Sequence, residues 1–141
     1  MTVFVDSSAL YAVLDADDDN HPPAATEWAR LLDGATTLRT HSYVIVEAAA
    51  LVQHRLGMDA ATALHRDVVP ALSVRFVDRA LHQAATIALL AAGRRSISLV
   101  DWTSFEVMRD EQVGDAFAFD TDFTDQGFRV LPAVRGRRRR R

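Results

Sequence analysis

The sequence predicts one α/β domain built on a mostly parallel sheet covered by helices on both faces. Three observations carry this reading. Short β-branched and aromatic runs alternate with segments of helical periodicity, the order that βαβ units require. The 141 residues contain no internal repeat and no linker, and 49% hydrophobic content suffices for one core. Four apolar segments each carry an acidic residue at or next to their end: VFVD (Asp6), THSYVIVE (Glu47), ISLVD (Asp101) and AFAFDTD (Asp120 and Asp122). Apolar runs normally exit into Gly, Asn or Pro turns, whereas ligands of a parallel sheet gather at the carboxyl ends of its strands.

The elements follow in order. Residues 2–6 form a buried strand, and Ser7 or Ser8 caps a helix to about Ala16, with Leu10, Tyr11 and Leu14 on one face. Asp17 to Asn20 is a polar break. His21-Pro22-Pro23 opens the next helix, because proline is tolerated in a first turn, and it runs to Leu32 before Asp33-Gly34. A short strand at Thr37–Thr40 precedes a long helix from Ser42 to Leu56 closed by Gly57. Residues 59–67 form a short helix ended by Pro70, and Ser73–Val77 alternates as a strand. Arg79–Ala92 is a helix stopped by Gly93. A helix from Val100 to about Arg109 and strands at Ala116–Phe119 and Arg129–Leu131 complete the domain. The domain spans 1–134, and residues 135–141 (RGRRRRR) form an Arg-rich tail expected to lack fixed structure through self-repulsion.

Composition excludes several functions. All 16 basic residues are Arg, so the lysine of a P-loop or of a phospho-receiver site is missing. Cys is absent, which excludes disulfides, thiolate zinc sites and cysteine nucleophiles and fits a reducing cytoplasm. The five His form no HxH or HxxxH pair. No basic region precedes the N-terminal apolar run, and no stretch approaches the roughly 20 apolar residues needed to span a bilayer. A cytoplasmic protein with no membrane association is expected. The net charge of −3 hides a division: ten Arg against 19 acids give residues 1–134 a charge of −9, and the tail adds six Arg.

Several carboxylates gathered at one edge repel one another and hold protons unless a cation neutralises them. Oxygen-only ligands suit the hard cations Mg²⁺ and Mn²⁺. The acids therefore point to a metal-dependent enzyme.

The segments VFVDSSALYAVL, THSYVIVEAAAL and SLVDWTSFEVMRDEQVGDAFAFDTDF resemble the PIN-domain nucleases, and among them the VapC toxins of bacterial toxin–antitoxin pairs. Each motif alone is weak, but order and spacing agree over residues 2–131. The resemblance implies a five-stranded, centrally parallel sheet, a Mg²⁺ or Mn²⁺ site, endoribonuclease activity, a homodimer and inhibition by a cognate antitoxin. By the same resemblance Asp6, Glu47, Asp101 and Asp120 are the metal-binding and catalytic acids, with Asp6 central and Glu47 binding through water or positioning the nucleophile. Ser8 and Thr103 would orient carboxylates or the scissile phosphate, and Asp122 would support the site from behind. Water attack would leave a 5′-phosphate and a 3′-hydroxyl. The antitoxin would insert a basic side chain among the carboxylates or displace a metal, and the helices around 22–32 and 42–56 would serve as partner and dimer surfaces. The Arg tail would attract RNA or a partner's acidic segment.

Each residue also has a plainer reading. Asp6 and Asp101 alone are helix N-caps. Glu47 alone is a helix surface residue, although its neighbours Val44, Ile45, Val46 and Ala48–Leu51 leave little polar face. Glu106, Asp110 and Glu111 form a solvated helix face, Asp15 and Asp17–Asp19 a hydrated loop, and His41, Trp28 and Trp102 packing residues. Arg39, Arg94, Arg95 and Arg109 are too scattered to assign. A phosphatase of the haloacid-dehalogenase type wants a second Asp where Ser8 stands, and a lysine. A PIN domain acting on DNA or flaps is usually part of a larger chain. A catalytically inactive RNA- or protein-binding PIN module would be expected to have lost one of the four acids.

Overall fold

The computed structural model describes residues 1–133; the Arg-rich tail lies outside the described residues. Five strands form one parallel sheet in the order β3-β2-β1-β4-β5. They are β1 (Thr2–Val5), β2 (Thr37–His41), β3 (Ser73–Arg75), β4 (Asp115–Phe117) and β5 (Arg129–Leu131). Every neighbouring pair is parallel, with Phe4 of the central β1 opposite Arg39 on one side and Ala116 on the other. β1 is buried from Val3 to Val5, as a strand covered on both faces must be.

The helices are α1 (Ser7–Leu14), α2 (His21–Asp33), α3 (Ser42–Leu56), α4 (Met58–Ala63), α5 (Arg79–Ala92), α6 (Leu99–Asp110) and α7 (Asp122–Asp125). α1 packs on α2 and α3, and α5 packs on α6. The chain moves from β1 outward to β3 and then returns across the sheet to β4. Right-handed crossovers place the helices of those two journeys on opposite faces. The order reverses beside β1, so the carboxyl ends of β1 and β4 flank the topological switch point, where ligands of open α/β sheets bind.

Local chemistry explains most boundaries. Gly57 (φ 91°) and Gly93 (φ 62°) supply the positive φ that ends α3 and α5. Several boundaries differ from expectation: β3 stops at Arg75 rather than Val77, β4 covers Asp115–Phe117 rather than Ala116–Phe119, and α1 ends at Leu14 rather than near Ala16. Asp6, rather than a serine, caps α1 with its side chain. The helix after Gly57 continues from α4 through a π-turn (Leu64–Val68) into a 3-10 turn (Val69–Ala71) that contains Pro70. Pro70 has no N–H for a carbonyl four residues back, so the helix widens and tightens around it instead of stopping cleanly. The four-residue α7 is too short for a periodic signal, and its start is set by a side-chain turn described below.

Four rings fill the core beneath the switch point. Phe4, Phe105, Phe117 and Phe123 are fully buried, and Phe105 meets Phe123 edge-on at 5.1 Å. Phe123 also lies 6.2 Å from Phe4. Phe4, Phe105 and Phe123 stand within four residues of Asp6, Asp101 and Asp122 respectively, so packing of the core fixes the backbone that carries the acids. No helix among the described residues is long and apolar enough to cross a membrane.

Candidate metal centre

A depression of about 480 Å³ opens at the carboxyl ends of β1 and β4. Asp6, Glu47, Asp101 and Asp120 all line it, together with Ser7, Ser8 and Ser98. Four segments far apart in sequence thus deliver their acids to one place.

Asp6 follows the last residue of β1 and is 2% exposed. One oxygen, Oδ2, accepts from the Ser8 backbone N–H at 3.1 Å and from the Ser8 hydroxyl at 2.5 Å. That hydroxyl in turn accepts from the N–H of Phe119, just past β4, at 2.9 Å. The other oxygen, Oδ1, is buried with no hydrogen-bond partner among the described residues. Burial pushes the Asp6 carboxyl up to about 7; the two Ser8 bonds oppose this, while the charges of Asp101 and Glu47 add to it. A buried carboxylate oxygen without a donor is costly unless a proton or a cation meets it. The cap uses one oxygen of this residue and leaves the other without a donor.

Glu47 lies on the second turn of α3 and accepts a short hydrogen bond from the Ser7 hydroxyl through Oε1. Asp101 is the third residue of α6 and closes a capping box: its N–H donates to Ser98 Oγ, and Ser98 N–H donates to Asp101 Oδ2, both at 3.2 Å. Ser98 starts α6 inside the apolar run ISLVD, so Asp101 sits in the first turn of the helix expected from Val100. Burial is the main force raising Asp101 to about 6, with further pressure from Asp120 and Glu47.

Asp120 and Asp122 form a local unit. Asp120 Oδ1 accepts the Asp122 N–H at 2.9 Å, an Asx turn that starts α7 and folds Asp122 back toward the site. Oxygens of Asp101, Asp120 and Asp122 all lie within 4.8 Å of one another. Burial and the neighbouring Asp120 raise the Asp122 carboxyl, and Arg94 opposes them weakly. Asp122 thus stands beside Asp101 and Asp120 rather than behind them.

Thr103 is placed differently from expectation. It is fully buried, and its hydroxyl donates to the Leu99 carbonyl at 2.8 Å within α6, the bond a helical Thr makes most readily. Trp102 packs edge-on against Phe105 and lies in the core. His41 is also buried. Its Nδ1 lies 3.4 Å from the Val44 N–H and its Nε2 2.9 Å from Ser104 Oγ, tying the start of α3 to α6.

Sequence reasoning missed Ser7, Ser98, Tyr11 and Arg55. The helical spacing Glu47, Leu51, Arg55 signals one face of α3, and all three residues line the depression. Arg39, one of the unassigned arginines, forks onto Glu111 at 2.9 and 3.1 Å; its neighbour Arg75 on β3 bridges Asp110 and Glu111, both at 2.9 Å. Glu111 is therefore tied to the sheet strands, while Asp110, although bridged by Arg75, stays exposed.

The donor set is of the kind that suits a hard cation. Its donors are oxygens alone, one of them buried and unpartnered, and their charges press on one another. Comparison with known proteins agrees in extent. The family model described as "PIN domain" matches residues 3–129. The 23S rRNA-specific endonuclease VapC20 of Mycobacterium tuberculosis is 34% identical over 134 residues, covering 89% of this chain and 95% of its own. The crystal structure of that species' VapC20, described as a sarcin–ricin loop cleaving toxin, superposes with a TM-score of 0.80 at 33% identity, over 89% of this chain and 95% of its own. VapBC2 from Rickettsia felis, bound to a DNA fragment from its promoter, shares the fold: TM-score 0.67 at 11% identity, over 92% and 97% of the two chains.

Proposed function

The chain belongs to the PIN domain family, and from that membership we propose that it is a divalent-cation-dependent endoribonuclease, the toxin of a toxin–antitoxin pair. The observation that carries the reading is the buried, unpartnered Asp6 Oδ1 in a depression lined by four further acids, Glu47, Asp101 and Asp120 among them. Asp6, Asp101 and Asp120 would hold the cation, Mg²⁺ or Mn²⁺, with Asp122 beside them and Glu47 across the depression.

When bound, such a cation neutralises charge at the phosphodiester and acidifies the attacking water. The chain's own residues prepare for it. Ser8 fixes Asp6 through two donors, Ser98 fixes Asp101, and the Ser7 hydroxyl holds Glu47. At neutral pH without a cation, burial keeps a large share of Asp6 protonated, and that proton leaves as the cation arrives. Attack by water, with the 3′ oxygen departing, gives a 5′-phosphate and a 3′-hydroxyl. Products carrying 2′,3′-cyclic phosphates would overturn this route.

The similarity to VapC20, a 23S rRNA-specific endonuclease, makes 23S rRNA the first substrate to try. A cognate antitoxin and a second copy of the chain are the proposed protein partners, and exposed Val46 (66%) and Phe76 (79%), which line one apolar groove, offer surface for them. The test is cleavage of ribosomal RNA with Mg²⁺, Mn²⁺ or EDTA, comparing the wild type with Asp101→Asn. Discrete fragments that need the metal and vanish in the variant support the proposal. Equal behaviour of the two proteins would sink it.

A further inference from the structure

The depression that holds the acids has one cation in its lining among the described residues, Arg55. The acids themselves cannot grip a polyanion beyond the bond being cut. Arg30, Arg39, Arg75 and Arg129 are each in ion pairs with carboxylates, and Arg109 is engaged with Gln126 and with the rings of Phe105 and Phe128. Arg55 forms no ion pair among the described residues and is exposed, although five carboxylates share its depression. It is held instead by an aromatic face. Its guanidinium carbon stands 5.6 Å from the centroid of the Tyr11 ring, and the Tyr11 hydroxyl is anchored on Asp15 at 2.7 Å. A guanidinium positioned by a ring and its hydroxyl still has N–H donors to spare, which is what planar recognition of phosphate requires.

Geometry separates this group from the reacting centre. Arg55 lies on the face of α3 that carries Glu47, eight residues on, a rise of roughly 12 Å along the helix. We propose that Arg55 and Tyr11 form a subsite for a neighbouring phosphate of the RNA strand, with the ring-backed guanidinium also offering a plane on which a base can stack. The inference rests on the ribonuclease reading above. A nucleic acid fits better than an acidic peptide, because both a phosphate contact and a stacking plane are presented together.

The test is equilibrium binding of a fluorescent single-stranded RNA to the full chain in the Asp101→Asn background, across a range of salt concentrations. Adding Arg55→Ala is expected to weaken binding by about tenfold and to flatten the plot of log K against log salt by roughly 0.7, one single-strand phosphate contact. Arg55→Lys, which keeps the charge and loses the plane, is expected to retain the slope with weaker affinity. Arg79→Ala, an arginine outside this depression, is the control and leaves the slope in place. A purely structural role for Arg55 would lower thermal stability without moving the slope. An unchanged slope in a folded Arg55→Ala protein, while the wild type cleaves RNA, overturns this subsite alone. Failure of the wild type to cleave or bind RNA overturns the nuclease reading itself. If binding of RNA is unaltered but a co-purified protein partner is lost, the residue belongs to a protein interface and the subsite is wrong.

Discussion

Two clusters of acids in this molecule are treated in opposite ways. Asp110 and Glu111, at the end of α6, receive two arginines from β2 and β3, and the guanidinium of Arg39 holds Glu111 below the usual carboxylate range. Asp6, Glu47, Asp101, Asp120 and Asp122 receive serine hydroxyls and backbone N–H groups but no arginine close enough to pair among the described residues, and burial drives Asp6 and Asp101 upward. The first cluster is complete within the chain and ties sheet to helix. The second is short of positive charge, and its deficit is the reason to look for a cation.

The sharpest way to break this contrast is to remove charge from each cluster in turn. Asp101→Asn or Asp120→Asn is expected to lower RNA cleavage by about 100-fold or more, whereas Glu111→Gln leaves the cleavage rate within about twofold. Comparable losses from both clusters, measured on the same ribosomal RNA, would erase the distinction.

A second effect is thermodynamic. Asp6 in the folded, metal-free chain holds its proton to about 7 against an ordinary 3.8. Between those values the folded state binds more protons than the unfolded one, so this residue's contribution falls as pH rises through the window. Asp6→Asn is therefore expected to stabilise the metal-free protein at neutral pH by about 2 kcal/mol, with the gap from wild type closing toward pH 4. Thermal melts in EDTA across that range measure it, and a variant less stable than wild type at pH 7 would mean that Asp6 is an ordinary cap. Adding Mg²⁺ is expected to stabilise the wild type and release protons, with neither response in the variant.

Smaller changes refine the picture. Ser8→Ala frees Asp6 from its hydroxyl donor and is expected to slow cleavage by about tenfold, while Thr103→Val, whose hydroxyl serves only the helix backbone, changes it little. Similar losses in the two would return Thr103 to the site. Last, Glu111→Gln is expected to cost about 1 kcal/mol of stability at low salt and less at high salt, since its pairs are partly exposed; urea titrations at two ionic strengths decide this.

Much of this was legible in the chain itself. The sheet could be read because β1 and its partners are short apolar runs separated by helical periods. The positions of Asp6, Glu47, Asp101 and Asp120 followed from motifs that keep their order and spacing. What escaped depends on the third dimension. Asp122 reaches the cluster through an Asx turn on Asp120, and α7 is too short for any period to show. Ser7 and Glu47 meet across 40 residues, and nothing local in either predicts the other. Thr103 shows the reverse error. Its place two residues after Asp101 suggested an orienting role, yet a hydroxyl inside a helix has the carbonyl four residues back as its nearest acceptor. The standing of Glu111 could not be read either, because its arginines arrive from two strands.

The divided duty of Asp6 bears on how such a protein is silenced. One oxygen starts α1 and the other is left for the centre. Codons for Asp and Asn differ by one base, and an amide can still start the helix through its oxygen. The shortest mutational route out of activity thus passes through a folded protein. A lineage that disarms this enzyme by that step would keep a chain with its outer surface intact, able to occupy whatever binds the active form and so to act as its competitor.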